Sequence, residues 1–293
     1  MIEFSGTAAV VTGAASGIGR ALAQKLAERG CDLALADVDE VGLRAVADGI
    51  NSKRPTKVLT RRVDVADRSQ VEAFANDAIA TFPRLCIVIN NAGVAMQGQF
   101  EELELAQIQW LMGINFWGVV HGTHAFLPHL QRQPWGHIVN ISSVFGIIGP
   151  PGNCAYAASK FAVRGFSESV RHELAMNNSP VRLSVVHPGG VKTNIARSSQ
   201  VGANLRDRSG RAEAIDRFEQ MARTTPEDAA QRIMRGIERN EPRILVGGDA
   251  RLIDWLQRLW PAGYWKLITR AGLLVTRTRA VQERSEGEKR GIP

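Results

Sequence analysis

Long apolar runs are missing from this sequence. No stretch of 18 apolar residues occurs, which argues against a spanning helix. The N-terminus enters an apparent strand, Thr7-Ala8-Ala9-Val10-Val11, almost at once, leaving no room for the basic start and apolar middle of a signal peptide. Cysteine is scarce as well. Cys31, Cys86 and Cys154 are odd in number, far apart and never in a CxxC pair. Neither a disulfide framework nor a zinc site is expected, and a reducing cytoplasm fits. Charge of one sign is absent from most of the chain. The net charge is +7, but residues 251–293 hold nine Lys/Arg against four Asp/Glu, so +5 of it lies in this tail. The first 250 residues are nearly balanced at +2, which speaks against a nucleic-acid groove across the main body.

What is present is ordinary globular composition, 44% hydrophobic and 22% charged, over 293 residues. Short apolar runs at Ala8–Thr12, Asp32–Ala36, Lys57–Arg61, Leu85–Asn90, His137–Ser142, Val181–His187 and Arg243–Val246 read as strands. Helical patterns such as Ile18–Arg29, Arg68–Phe82, Phe116–Gln131, Tyr156–Met176 and Pro226–Arg239 lie between them. Strands alternating with helices predict an α/β fold, a doubly wound parallel sheet of about seven strands with helices on both faces. With no internal repeat or low-complexity linker before the tail, we expect one domain over residues 1–250. Within it, 194–225 is expected to cover the substrate, and 251–293 forms a basic, Trp-rich helical appendage.

The first strand runs into "TGAASGIGRALAQKLAERG", residues 12–30. Gly13, Gly17 and Gly19 sit where strand becomes helix, so the turn through Ser16 and Ile18 lets backbone approach a pyrophosphate at a helix N-terminus. Glycines alone serve plain tight turns equally well; the strand–turn–helix context gives them meaning. The second strand ends in Asp37, eighteen residues beyond Gly19. A carboxylate there accepts hydrogen bonds from the adenosine ribose and repels a 2′-phosphate. NAD is therefore expected over NADP, with Arg20 the one nearby base on the helix flank. The bland reading of Asp37 is a solvated loop carboxylate or a helix cap, a task Asp39 could do equally.

Later in the chain, "AYAASKFAV" places Tyr156 four positions ahead of Lys160, on one helix face. Three strand ends converge on the same carboxyl edge of the sheet: Asn90–Gly93 (NNAG), Asn140–Gly146 (NISSVFG) and His187–Thr193 (HPGGVKT). With TGAASGIG, Asp64-Val65, NNAG, Asn115, Ser143, YAASK and PGGVKT in this order, the sequence resembles the short-chain dehydrogenase/reductase family of NAD(P)-dependent oxidoreductases. The motifs span residues 12–193, and the fold likeness covers about residues 5–247. The resemblance implies a catalytic group of Asn115, Ser143, Tyr156 and Lys160. Ser143 matches better than Ser142 because it lies thirteen residues before Tyr156. It also assigns Asp64 and Val65 to the adenine, Asn91, Ala92 and Gly93 to the cofactor-side turn, and Pro188, Gly189, Val191 and Thr193 to the nicotinamide side. Pairing of the helices that carry Asn115 and Tyr156 would make a homodimer or homotetramer, again by analogy.

The chemistry explains the Tyr–Lys spacing. Moving a hydride between an alcohol carbon and nicotinamide also requires moving the alcohol proton. A phenol titrates near 10, and bringing it near 7 takes roughly 4 kcal/mol in favour of the phenolate. The Lys160 ammonium and oxidised nicotinamide could supply this, while Ser143 steadies the substrate oxygen. His121, His124 and His129 fall at near-helical spacing but lack Cys or carboxylate partners, so no metal is expected. Cys154 reads as a small, inert lining residue. Val94, Met96, Phe145, Ile147, Ile148 and Pro150 would line an apolar pocket without a cation, pointing to a small hydrophobic alcohol, aldehyde or ketone. Core packing could explain the same residues. An NADP-dependent carbonyl reductase and a non-catalytic dinucleotide-binding scaffold are the rival readings; an intact Ser143, Tyr156 and Lys160 argue against the scaffold.

In the tail, Leu252, Trp255, Leu256 and Leu259 follow helical spacing, with Arg251, Asp254, Gln257 and Arg258 on the other side, and Pro261 should end that helix. This face would pack on the domain, cover the cleft or seal a subunit interface. That reading is preferred over peripheral contact with an anionic membrane, because Pro and Gly interrupt the segment.

Overall fold

The computed structural model describes residues 3–53, 55–195, 199–203 and 222–270. Most of the expected substrate-covering stretch, 194–225, and the tail beyond residue 270 lie outside the described residues. The chain divides into two compact units, Met1–Asp254 and Trp255–Pro293.

The first unit is built on seven parallel strands: β1 (Ala8–Thr12), β2 (Asp32–Asp37), β3 (Val58–Arg62), β4 (Leu85–Asn90), β6 (Gly136–Ile141), β7 (Val181–Pro188) and β9 (Arg243–Val246). Their spatial order is β3-β2-β1-β4-β6-β7-β9. The order reverses between β1 and β4, and this switch point opens a crevice at the strands' carboxyl ends. Every residue of β1, β4 and β6 is buried, as a parallel sheet covered on both faces requires. Alternate residues of β1 divide between the two cores. Ala9 and Val11 join Leu22, Leu26, Leu43 and Ile233 on one face, and Ala8 and Val10 join Phe74, Phe126, Leu130 and Leu174 on the other. Burying an aliphatic side chain in such layers stabilises by about 1.5–3 kcal/mol.

The helices are α1 (Gly17–Glu28), α2 (Glu40–Asn51), α3 (Arg68–Thr81), α4 (Leu105–Met112), α5 (Gly118–Leu130), α6 (Cys154–Met176), α7 (Pro226–Glu238), α8 (Gly248–Leu259) and α9 (Tyr264–Arg270). Several starts follow from their caps. Asp39 accepts from Gly42 N–H to open α2, and Asp67 accepts from Ser69 and Gln70 N–H to open α3. Thr225 caps α7, with Pro226 in the first turn. Two short strands, β5 (Met96–Gln97) and β8 (Gln200–Val201), pair in parallel beside the crevice. Among the described residues, no helix is long and apolar enough to cross a membrane.

Candidate active site

Beneath the crevice, side chains staple the strand ends together. Thr12 Oγ1 accepts from the N–H groups of Asn91 (3.0 Å) and Ala92 (3.1 Å). Asn91 Nδ2 in turn donates to the carbonyls of Thr12 (2.9 Å) and Gly13 (3.1 Å). The turns after β1 and β4 therefore hold each other. Further along, Asn90 Nδ2 donates to Asn140 Oδ1 (2.9 Å), and Asn140 Nδ2 donates to Ser167 Oγ (3.0 Å), tying β4, β6 and α6 together below the site.

Above this floor, Gly13 has φ +65° and Gly17 φ +54°, the left-handed region that glycine adopts freely. A Cβ on Gly17 would come within 3.2 Å of Thr193, so the turns after β1 and β7 face each other closely. Ser16 precedes α1 in an extended conformation, its side chain makes no cap, and the first turn of α1 carries no acidic residue. The leading N–H groups of α1, through Ile18 and Gly19, thus form an anion cradle at a positive helix end. Asp37 at the end of β2 accepts from Ala15 N–H (2.9 Å) and Asp39 N–H (3.1 Å), which fixes its carboxylate beside the same turn. The cap belongs to Asp39 instead, so the helix-cap reading of Asp37 falls away. Arg20 is exposed on α1. Arg62, which the sequence reading did not weigh, stands opposite Asp37 in the β2–β3 register; it becomes visible only once the pairing is known.

Asp64 Oδ1 accepts from Ala66 N–H (2.9 Å), and Val65 is buried beneath α5. The Pro188-Gly189-Gly190 turn leaves β7 braced by Asp249, whose Oδ2 accepts from Gly190 N–H (2.7 Å). Val191 is buried and bridges to Thr224.

On the substrate side, the structure brings Asn115, Ser143, Tyr156 and Lys160 together. Asn115 is fully buried in a π-helical turn, Gly113–Trp117, between α4 and α5. Such a turn often marks a functional position because it re-aims one side chain. Asn115 Oδ1 accepts from Val94 N–H (2.8 Å), and its Nδ2 donates to the Val94 carbonyl (2.9 Å) and Ser159 Oγ (3.1 Å). A Cβ on Gly93 would lie 3.2 Å from Asn115 Oδ1 and 3.4 Å from Lys160 Nζ, so a side chain there would crowd the space beside the ammonium. Lys160 Nζ donates to the Ile141 carbonyl at the end of β6 (3.1 Å) and lies 5.7 Å from the centre of the Tyr156 ring. Ser143 accepts from Phe145 N–H (3.1 Å) and shares a hydrogen bond with Tyr156.

Burial pushes the Tyr156 phenol up to about 12, with the Ser143 hydrogen bond pulling the other way. Burial likewise pushes the Lys160 ammonium down to about 8. Desolvation acts on both against charge separation, a cost the sequence argument omitted. His187, also absent from that argument, is buried behind Ser143. Its Nδ1–H donates to the Ser143 carbonyl (2.9 Å), and burial holds it neutral, down to about 4. Its place ahead of the Pro-Gly-Gly turn was the only sequence signal.

Two expectations about the lining change. Met96, Ile147, Ile148 and Pro150 are buried and contribute to packing instead of an open wall. Phe145 does reach the site, its ring edge-on to Tyr156 with centroids 6.0 Å apart, and Val94 packs on the same small cluster as Tyr156. Cys154 is exposed at the start of α6, where the first turn points its side chain away from the packed face. Of the histidines, His121 donates through Nδ1–H to the Val65 carbonyl (3.0 Å), His129 is buried beside Gln133, and His124 is exposed. Among the described residues, no group of three or more His, Cys, Asp or Glu is placed to hold a metal ion.

Comparison with known proteins fits this geometry. The family model for short chain dehydrogenases matches residues 7–203. The chain is 44% identical over 268 residues to a putative oxidoreductase, SadH, of Mycobacterium tuberculosis, covering 92% of this chain and 96% of that protein. Among solved structures, a short chain dehydrogenase/reductase from Burkholderia phymatum in complex with NAD superposes with a TM-score of 0.80 at 33% identity. It covers 89% of this chain and 96% of that one. Levodione reductase follows with a TM-score of 0.74 at 28% identity, over 85% of this chain and 99% of that one.

Proposed function

Since the chain belongs to the short chain dehydrogenase family and is an oxidoreductase of that fold, we propose that it transfers a hydride between NAD(H) and a hydrophobic alcohol, ketone or aldehyde. The observation that carries this reading is the joined set of Ser143, Tyr156 and Lys160 beside the anion cradle. When bound, nicotinamide accepts or donates the hydride and, oxidised, brings a positive charge. The cradle of Gly13, Gly17 and the first turn of α1 fits the pyrophosphate of such a group, and Gly93 leaves room beside Lys160. Tyr156 takes the hydroxyl proton as the carbinol carbon loses hydride, and returns it in the reverse direction. Ser143 holds the substrate oxygen, and Lys160 stabilises the phenolate. Asn115 fixes the turn after β4 so that the ammonium keeps its place. Phe145 and Val94 supply an apolar wall and no cation, which suits a neutral, hydrophobic substrate.

Asp37 supports NAD, because a 2′-phosphate would meet its fixed carboxylate. Arg62 in register with Asp37 favours a second reading, NADP(H) use, in which the guanidinium draws the carboxylate aside. Steady-state kinetics on a panel of secondary alcohols decide between them. We expect higher kcat/KM with NAD than NADP, and an Asp37→Ala variant with a narrower ratio. A wild type that prefers NADP sinks the NAD assignment; no turnover with either cofactor sinks the oxidoreductase reading of this site.

A further inference from the structure

Amphipathic helices normally turn their apolar stripe toward the protein. Helix α8 does so only in part. Ala250, Ile253 and Asp254 are its buried positions, and Asp254 makes an ion pair with Arg243. The face that carries Trp255 and Leu259 is open, with Trp255 57% and Leu259 49% exposed. Trp260, directly after the helix, is 50% exposed, and Leu267 on α9 is also exposed. Sequence spacing predicts that the stripe Leu252, Trp255, Leu256 and Leu259 is covered; in the structure only Leu256 is half-buried and the other three are exposed. Isolated exposed apolar residues are ordinary, but two tryptophans and two leucines within thirteen residues are not.

The chemistry around them identifies the partner. Lys266 and Arg270 are exposed on α9. The unit Trp255–Pro293 holds eight Lys/Arg against three Asp/Glu, so it carries +5. Tryptophan rings settle at the level of lipid headgroups, and basic side chains beside them meet anionic lipid at about 1 kcal/mol each. Both helices are too short to cross a bilayer, which leaves an in-plane contact. We propose that Trp255, Leu259, Trp260 and Leu267, with Lys266 and Arg270, form a peripheral docking surface for an anionic membrane. This surface is independent of the cofactor and substrate chemistry.

Flotation of the full-length protein with vesicles of phosphatidylcholine, with and without phosphatidylglycerol, tests this. Co-flotation is expected only with phosphatidylglycerol at low salt, and should fall as salt screens the charges. K266Q/R270Q should weaken binding about thirty-fold, two charges' worth, while W255S/W260S should abolish it. Both variants should keep wild-type dinucleotide binding, which shows that they fold. Full-length protein that stays with the dense fraction at low salt overturns the proposal. So does undiminished flotation of W255S/W260S, or a shift in its oligomeric mass without any vesicle binding by the wild type, which would assign this face to a second copy of the chain.

Discussion

Burial works against the charged forms of both Tyr156 and Lys160. Burial pushes the phenol up to about 12 and the ammonium down to about 8, so each resists the charged form that proton transfer requires. A phenolate becomes accessible near neutral pH only with cationic charge close by, and Lys160 Nζ, 5.7 Å from the ring centre, is the cation on its own helix face. Tyr156→Phe keeps the ring packing against Phe145 but removes the proton path. Turnover should fall about 10²-fold or more, while NADH binding, read by fluorescence, stays within error of wild type. Near-normal turnover in this variant would remove Tyr156 from the mechanism. The Tyr-x-x-x-Lys spacing was legible in sequence because it is local. The price of burying the pair was not, because it depends on what α6 packs against.

At the scale of elements, the strands and most of the long helices were readable from period, though α2 was not among the expected helices: all seven sheet strands lie within a residue or so of the expected runs. The π-helical turn at Gly113–Trp117 was not, since a single phase shift between two short helices is too little to read from an apolar pattern. Nor was the β5–β8 pair, whose strands of two residues have no period at all. The π turn gives Asn115 three bonds, two part-buried ones to Val94 and a buried one to Ser159. Asn115→Ala removes the side-chain partner of both backbone groups of Val94, while Ser159 keeps its bond to the Tyr156 carbonyl, and should lower the unfolding free energy by roughly 1–3 kcal/mol. Chemical denaturation measures it. A change within about 0.5 kcal/mol, the range of an ordinary surface substitution, would show that the turn holds without its asparagine.

Across the whole molecule, stability should depend on acid through two buried histidines. His137 lies in the central sheet and His187 behind Ser143, and burial lowers both from 6.5 to about 4. Between those values the unfolded chain takes up protons that the folded chain refuses. Stability is therefore full above about pH 6.5 and falls as pH drops toward 4, by up to about 1.4 kcal/mol per pH unit for each histidine. Urea midpoints measured from pH 7 to 4 should trace this decline, and His137→Asn/His187→Asn should flatten it even if the variant starts from a lower stability. A wild-type midpoint that stays level down to pH 5 contradicts the buried, neutral state of both rings.

The sequence by itself determined the parallel sheet, the glycine turn opening into α1, the terminal carboxylate of β2 and the Tyr–Lys face, because each depends on residues close in the chain. Composition alone also located the basic, tryptophan-rich tail. Tertiary structure decided which distant groups meet. Register set Arg62 opposite Asp37, the fold seated His187 behind Ser143, and packing closed Met96, Ile147 and Ile148 into the interior. It also turned Trp255 and Leu259 outward while burying Asp254 on the same helix. Helical period shows that a face exists. Which residues of the helix are buried follows from what Ala250 and Ile253 pack against and from the Asp254–Arg243 ion pair, and no local pattern encodes either.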